Sequence, residues 1–202
     1  ANSDWWDANN LSSTFYASAN YRMSLLQEQG HLRIRDWFVY DEAYESRYLH
    51  QPMKGTESLN DAPPVLFPQI WMEGGRPFVR LLDENGREPV GDVCFDTPSG
   101  FTAAAHLSAE GKPIAEFLLT PGTLELKSEF RLSFDKLPVF DCVCENRIGM
   151  VYEGFSYGIT VQQGTIEKAG KDGLRIAPEN GKIVITMGAG DIFRAGEALL
   201  AE

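Results

Sequence analysis

Histidine and cysteine are scarce in this 202-residue sequence, which contains three of each, and no long apolar run occurs. The histidines His31, His50 and His106 lie too far apart in the chain to form a local metal-binding or acid–base motif. No stretch approaches the roughly 20 apolar residues that a membrane-spanning helix requires. We therefore expect no metal site, no other cofactor and no membrane span.

Positive charge is also in short supply. The sequence has 18 Lys and Arg against 29 Asp and Glu, so its formal net charge is −11. An acidic chain repels the phosphate backbone of DNA and RNA, and the sequence therefore predicts no nucleic-acid partner. The densest basic group, residues 31–35, is interpreted as a strand with a solvated face.

Complete catalytic motifs are missing as well. Neither the phosphate-binding loop pattern nor the nucleophile-elbow pattern occurs. We assign no catalytic residue, and the sequence does not decide whether the chain is an enzyme. Several carboxylates would act on glycosides only if the fold brought two of them together, namely Asp92, Asp96, Glu116, Glu125 and Glu129.

The cysteines are Cys94, Cys142 and Cys144. Cys142 and Cys144 alternate on a predicted strand and point to the same face, so a disulfide between them would be strained and is not expected. One of them could pair with Cys94, which would leave an odd thiol. The preferred interpretation is that all three are small, buried apolar residues.

Residues 78–130 organise the predicted fold, because short apolar runs there are separated by turn signals at close intervals. Gly and Asn adopt positive φ, and Pro fixes φ for a tight reversal. Such spacing predicts an antiparallel sandwich. In particular, residues 83–86 predict a tight hairpin turn with Asn85 or Gly86 at positive φ.

Two helices are predicted beside the sheets. Helical spacing across residues 11–30 predicts an N-terminal helix, and its apolar positions are Phe15, Ala19, Met23 and Leu26. Residues 191–201 are helical by propensity and predict a short C-terminal helix. The expected fold class is therefore mainly β: an antiparallel β-sandwich with an N-terminal helix and a short C-terminal helix.

A strand is predicted over residues 31–40, with Phe38 and Tyr40 on the same face as Leu32 and Ile34, and Asp36 as an exception. The long polar and aromatic segment that follows, up to residue 64, favours a boundary. We therefore predict a helix–strand–loop segment over residues 1–64, packed on an antiparallel β-sandwich over residues 65–202.

The same 78–130 stretch resembles the carboxypeptidase regulatory-like family, which includes transthyretin-like and Cna-B-like β-sandwiches. The resemblance rests on the order of a strand, turns and a second strand, marked by Asp83, Gly86, Pro89, Val90, Gly91, Gly111, Pro121 and Gly122. It implies an accessory, adhesive or spacer module of an exported protein. The lysine cross-link of some Cna-B-like members is not implied, because residues 79–82 contain no Lys.

Residues 188–191, Gly-Ala-Gly-Asp, resemble a segment of ribokinase-type sugar kinases, in which the Asp is the base. Those enzymes need a large parallel α/β domain, which this sequence does not predict. We interpret the segment as a glycine turn in which Asp191 caps the last helix.

Aromatic residues are concentrated in the first third of the chain, which holds all four tryptophans. Flat aromatic faces with polar neighbours suit sugar rings or a protein partner, although aromatic residues also cover joins between packed elements. The predicted ligand-binding residues are Trp5, Trp6, Trp37, Tyr44, Tyr48 and Trp71.

The leading functional hypothesis is a non-catalytic binding or assembly module that recognises a carbohydrate or a partner protein as part of a larger exported or surface machine. The alternatives are a carbohydrate-active enzyme whose carboxylates the fold brings together, and an up-and-down barrel for a small apolar ligand. A homo-oligomer is compatible with the sequence. An extracytoplasmic location is favoured over a cytoplasmic one.

Overall fold

The computed structural model describes residues 2–6, 11–40, 65–67, 79–134, 142–152, 155–170 and 173–189. Side chains are described for residues 11–40, 79–134, 145–149, 158–169 and 173–187. Within these ranges no helix has the length and apolar character needed to cross a lipid bilayer.

The described residues form seventeen strands. In chain order they are β1 (Asn2–Trp6), β2 (Leu11–Ala17), β3 (Tyr21–Glu28), β4 (His31–Val39), β5 (Val65–Phe67), β6 (Val79–Leu82), β7 (Asp92–Ser99), β8 (Thr102–Ala109), β9 (Lys112–Leu119), β10 (Thr123–Ser128), β11 (Arg131–Phe134), β12 (Cys142–Cys144), β13 (Arg147–Tyr152), β14 (Phe155–Gln163), β15 (Thr165–Gly170), β16 (Gly173–Ala177) and β17 (Lys182–Ala189).

The strands belong to two antiparallel sheets. Sheet I has the order β1-β2-β3-β4-β6-β11-β16-β15, and β5 also pairs with β4. Sheet II has the order β12-β13-β14-β17-β10-β9-β8-β7. Strands from both sides of residue 64 pair in sheet I, since β4 pairs with β6. The predicted division into residues 1–64 and 65–202 stays a prediction.

The hydrophobic core lies between the two sheets, because alternate residues along the strands point inward. Sheet I and sheet II both contribute side chains without solvent exposure, among them Leu25, Ile34, Leu81, Leu107, Leu119 and Ile185. Two antiparallel sheets that share one core form a β-sandwich, so this part of the predicted fold class is confirmed. A barrel would need one closed sheet, and the two separate sheets contradict that alternative.

The predicted N-terminal helix is wrong, because residues 11–30 contain β2 and β3 instead. The cause is that β3 is buried on both faces. Met23 points into the core with no exposure, while Leu26 is 6% exposed on the opposite face. Burial on both faces removes the alternation of apolar and polar residues that identifies a half-buried strand. The predicted C-terminal helix, residues 191–201, lies outside the described residues.

A β-bulge in β4 decides which of its residues reach the core. Leu25 pairs with Ile34, but Ser24 pairs with Asp36, so Arg35 is an extra residue in β4. One extra residue moves every later side chain to the opposite face. Trp37 therefore points into the core, and the predicted placement of residues 38 and 40 on the face of residues 32 and 34 is wrong.

The same bulge places the carboxyl group of Asp36 on the outer face of sheet I, where the residue is only 7% exposed. Burial raises the pKa of Asp36, and the charges of Arg22 and Arg35 oppose this shift. A pKa that is higher in the folded than in the unfolded chain means that the folded state binds the proton more tightly. The contribution of Asp36 to the free energy of unfolding is therefore largest at low pH. It is lost as the pH rises from the ordinary pKa of an aspartate through the raised pKa of the folded state.

We expect the Asp36→Asn variant to unfold at a higher temperature than the wild type at pH 7, because asparagine carries no charge to bury. The difference should shrink below about pH 4, where aspartate is protonated in both states. Thermal unfolding of the two proteins at a series of pH values measures this. A lower unfolding temperature of the variant at pH 7 would contradict it.

The turn at residues 83–86 is confirmed. The backbone N–H of Gly86 donates to the Asp83 carbonyl at 3.1 Å, and Gly86 has a φ of 76°. The Asp83 carboxylate accepts from the N–H groups of Asn85 and Arg87 at 2.9 and 2.7 Å. The hairpin part of the prediction is wrong, however, because β6 lies in sheet I and β7 in sheet II, so the turn does not join two paired strands.

Candidate functional site

Turns from both sheets converge at one end of the sandwich. Residues 18–20 connect β2 to β3 in sheet I, and residues 100–101 and 120–122 connect neighbouring strands of sheet II. Hydrogen bonds join these turns across the gap between the sheets. We call this end the Phe101 end.

The turn at residues 18–20 is tied to the turn of sheet II that contains Pro121. The hydroxyl group of Ser18 donates to the Pro121 carbonyl at 3.1 Å, and the side-chain amide of Asn20 donates to the same oxygen at 2.6 Å. A carbonyl that accepts two hydrogen bonds fixes the position of both turns.

Two tyrosine hydroxyl groups add further bonds between the sheets. Tyr16 donates to the Phe101 carbonyl and Tyr21 to the Thr123 carbonyl, both at 3.0 Å. Burial raises the pKa of both Tyr16 and Tyr21, so both phenols remain protonated donors over the physiological range. The Phe101 end is therefore held by neutral hydrogen bonds that do not change with pH in that range.

The side chain of Phe101 lies at the tip of this end and is 78% exposed. Its backbone is fixed, because its carbonyl accepts from Tyr16 and its N–H donates to the hydroxyl group of Ser99 at 3.3 Å. The Ser99 and Thr102 hydroxyl groups are also hydrogen-bonded to each other at 3.0 Å. An exposed aromatic ring on a fixed backbone can bind a partner without a large loss of conformational entropy.

A longer connection begins at the same end. Val39 of β4 pairs with Tyr21, and the N–H of Tyr40 donates to the Asn20 carbonyl at 2.8 Å. The chain continues from there into residues 41–64. Tyr44 and Tyr48, two predicted ligand-binding residues, belong to this segment and lie outside the described residues, as does Trp71.

Trp5 and Trp6 do not lie at the Phe101 end. They lie at the end of β1, where Trp5 pairs with Ser12 and Trp6 with Leu11. Leu11 in turn pairs with Glu28, at the opposite end of sheet I from the turn at residues 18–20. The side chains of both tryptophans lie outside the described ones, so their predicted role stays a prediction.

Trp37 is a core residue with no solvent exposure. Its ring stacks on Phe134 with a centroid distance of 5.9 Å, and its indole N–H donates to the sulfur of Met187 at 2.8 Å. A ligand on the surface of the sandwich cannot reach this ring. We therefore remove Trp37 from the candidate binding residues.

Sequence reasoning missed Phe101, although a signal was present. Phe101 directly follows the turn sequence Pro98-Ser99-Gly100. A hydrophobic side chain at the tip of a tight turn has few neighbours to pack against, and binding residues are common in loops on rigid scaffolds. The contacts of Ser18 and Asn20 gave no signal, because they depend on the pairing of distant strands.

A depression lies at the opposite end of the sandwich from the Phe101 end and has a volume of about 480 Å³. Its lining is rich in charged side chains and consists of Asp83, Glu84, Asn85, Glu129, Phe130, Arg131, Ala177 and Pro178. The Asp83 carboxylate already accepts hydrogen bonds from the N–H groups of its own turn. The guanidinium group of Arg131 forms an ion pair with Glu167 at 2.9 Å. These internal partners make the depression a poor site for acid–base chemistry.

Two of the five carboxylates considered for glycoside hydrolysis, Glu116 and Glu125, are held in ion pairs on the outer face of sheet II. Lys127 lies 2.9 Å from Glu116 and 3.8 Å from Glu125, and Lys182 lies 2.9 Å from Glu125. The hydrogen bond from Lys127 lowers the pKa of Glu116. A general acid needs a raised pKa, so Glu116 is unsuited to that role.

Cys94 is a free and exposed thiol on β7, at the edge of sheet II. This contradicts both the predicted burial of Cys94 and its pairing with another cysteine. The side chains of Cys142 and Cys144 lie outside the described ones. Across the residues that the structure covers, no group of three or more His, Cys, Asp or Glu side chains is arranged to hold a metal ion.

Comparison of the chain with protein-family models, curated proteins and solved structures finds no match. The resemblance of residues 78–130 to the carboxypeptidase regulatory-like family therefore stays a prediction.

Proposed function

We propose that this chain is a non-catalytic binding module that recognises a carbohydrate through its Phe101 end, as part of a larger assembly. The observation that carries the proposal is the ring of Phe101, which is 78% exposed on a backbone held from both sides. A solvated aromatic ring of this kind costs hydrophobic free energy in the isolated chain, and stacking on a sugar ring recovers it.

The surroundings of the ring support a neutral polar ligand. Hydroxyl and amide side chains dominate the turns at this end, and they are Ser18, Asn20, Ser99, Thr102, Thr120 and Thr123. Neutral donors and acceptors beside an aromatic face match the alternating hydroxyl groups and C–H faces of a sugar. A protein partner would more often meet an aromatic or arginine cluster surrounded by a charged rim.

Replacing Phe101 with alanine should weaken glycan binding about 30-fold, which corresponds to the ~2 kcal/mol of an aromatic hot spot. A glycan array identifies the ligand of the wild type, and calorimetric titration measures the affinity of each variant. The unfolding temperature should not change, because the ring makes few contacts within the chain.

The matched control is Val90→Ala, since Val90 is 60% exposed but lies outside the Phe101 end. This variant should bind like the wild type. Two results would contradict the proposal: equal affinity of the Phe101→Ala variant and the wild type, or loss of binding only in a Trp5→Ala, Trp6→Ala double variant. Binding of proteins but of no glycan would favour the partner-protein form of the module.

A further inference from the structure

A group of buried polar side chains lies on the outer face of sheet I, away from the core. Ser24 of β3 is directly opposite Asp36 of β4, and Arg22 of β3 is opposite Phe38. Ser24 has no solvent exposure, and Asp36 is 7% exposed. The guanidinium group of Arg22 covers the ring of Phe38 at 4.1 Å from its centroid. These residues follow the turn at residues 18–20 and precede Tyr40, so they lie towards the Phe101 end.

Three polar atoms of this group are buried without a hydrogen-bond partner among the residues that the structure describes. They are the Arg22 Nε, the Ser24 Oγ and the Asp36 Oδ1. The closest approach between the charged pair, from Arg22 Nη2 to Asp36 Oδ1, is 3.8 Å, which is too long for a hydrogen bond. Buried polar atoms in proteins are rarely left unpaired, and three together call for a shared explanation.

The chemistry of the three atoms restricts what can pair with them. The Arg22 Nε–H is a donor only, the ionised Asp36 oxygen is an acceptor only, and the Ser24 hydroxyl is both. An anion would be repelled by Asp36, and a cation would be repelled by Arg22. A neutral hydroxyl group donates one hydrogen bond and accepts two, so it can satisfy all three atoms.

We propose that Arg22, Ser24 and Asp36 form a binding site for a single hydroxyl group. That group belongs to an ordered water molecule, because Ser24 has no solvent exposure and the three atoms are shielded from any ligand on the surface of the sandwich. The water would replace the direct hydrogen bond that Arg22 and Asp36 do not form with each other.

The burial of Asp36 supports this site. Burial raises the pKa of Asp36 even though Arg22 and Arg35 are close by, so the ionised carboxylate is not fully compensated by the protein alone. Such a carboxylate is a strong acceptor for a hydroxyl group in a site shielded from bulk solvent.

NMR spectroscopy and crystallography test this water site directly. Water–protein NMR cross-relaxation on the ¹⁵N-labelled wild type should show a long-lived water next to the amide groups of Ser24 and Asp36. The Asp36→Leu variant should lose these signals, whereas Asp36→Asn, which keeps an acceptor oxygen, should retain them. A crystal structure of the wild type should show one water within hydrogen-bond distance of all three atoms. A direct hydrogen bond between Arg22 and Asp36, with no water, would overturn the proposal.

Discussion

Replacing Trp37 with alanine should lower the free energy of unfolding by about 3–5 kcal/mol, as is typical when a large aromatic residue is removed from a core. Trp37 has no solvent exposure and contacts both sheets, through its stacking on Phe134 and its hydrogen bond to the sulfur of Met187. The surrounding strands cannot collapse into the space, because their positions are fixed by the hydrogen bonds of two sheets. Urea unfolding followed by circular dichroism measures the loss.

Two variants serve as controls for this prediction. Trp37→Phe keeps an aromatic ring but removes the donor to Met187, so its stability should lie between those of the wild type and Trp37→Ala. Phe101→Ala removes an aromatic ring that is 78% exposed and should change stability by less than about 0.5 kcal/mol. Wild-type stability of Trp37→Ala would show that the ring does not fill the core and would restore Trp37 as a ligand-binding candidate.

The strands of sheet II could be predicted from the sequence because their turns are local. The turns at residues 110–111 and 121–122 follow directly from Gly and Pro, and each joins two strands that are neighbours in the sheet. Glu110 and Gly111 both adopt positive φ, at 52° and 73°. Where consecutive strands pair, turn chemistry and alternation are enough to predict the element and its neighbour.

The sequence could not decide between a bulge and a change of sheet. The alternation of apolar residues slips at Ser128, and a β-bulge within one strand would produce the same slip. Instead β10 ends at Ser128 in sheet II, and β11 begins at Arg131 in sheet I. The Ser128 hydroxyl accepts from the N–H of Phe130 at 2.9 Å, which stabilises the crossing. Both events shift the alternation in the same way, and only the partner strand distinguishes them.

The candidate site was harder to predict than the fold. The number of aromatic residues in the first third led to Trp37, whose burial depends on the extra residue Arg35 in the same strand. Phe101 lies outside that first third, yet among the described side chains it is the aromatic ring with high exposure. The exposure of a side chain depends on which strands pair and on where β-bulges occur. The number of aromatic residues in a segment gives no information about either.

Gly91 is a position where a single added methyl group should have a large effect on stability. The chain crosses from β6 in sheet I to β7 in sheet II at this point, and the N–H of Gly91 donates to the Gly30 carbonyl at 2.9 Å. A Cβ atom at Gly91 would overlap the carbonyl oxygen of Ser108 and would lie 2.9 Å from its carbonyl carbon. These are backbone atoms of β8, so the overlap cannot be relieved by rotating a side chain.

We therefore expect Gly91→Ala to lower the free energy of unfolding by about 1–3 kcal/mol or more, the range for overpacking at a rigid site. Gly100→Ala is the matched control, because an added Cβ there has no atom within 4 Å and the φ of Gly100 is not in the left-handed region. Gly86→Ala isolates the effect of backbone conformation, since its φ is 76° but its surroundings are open. Thermal unfolding should rank the variants with Gly100→Ala closest to the wild type and Gly91→Ala furthest from it. If Gly91→Ala matched Gly100→Ala, the crossing between the sheets would not pass as close to β8 as we describe.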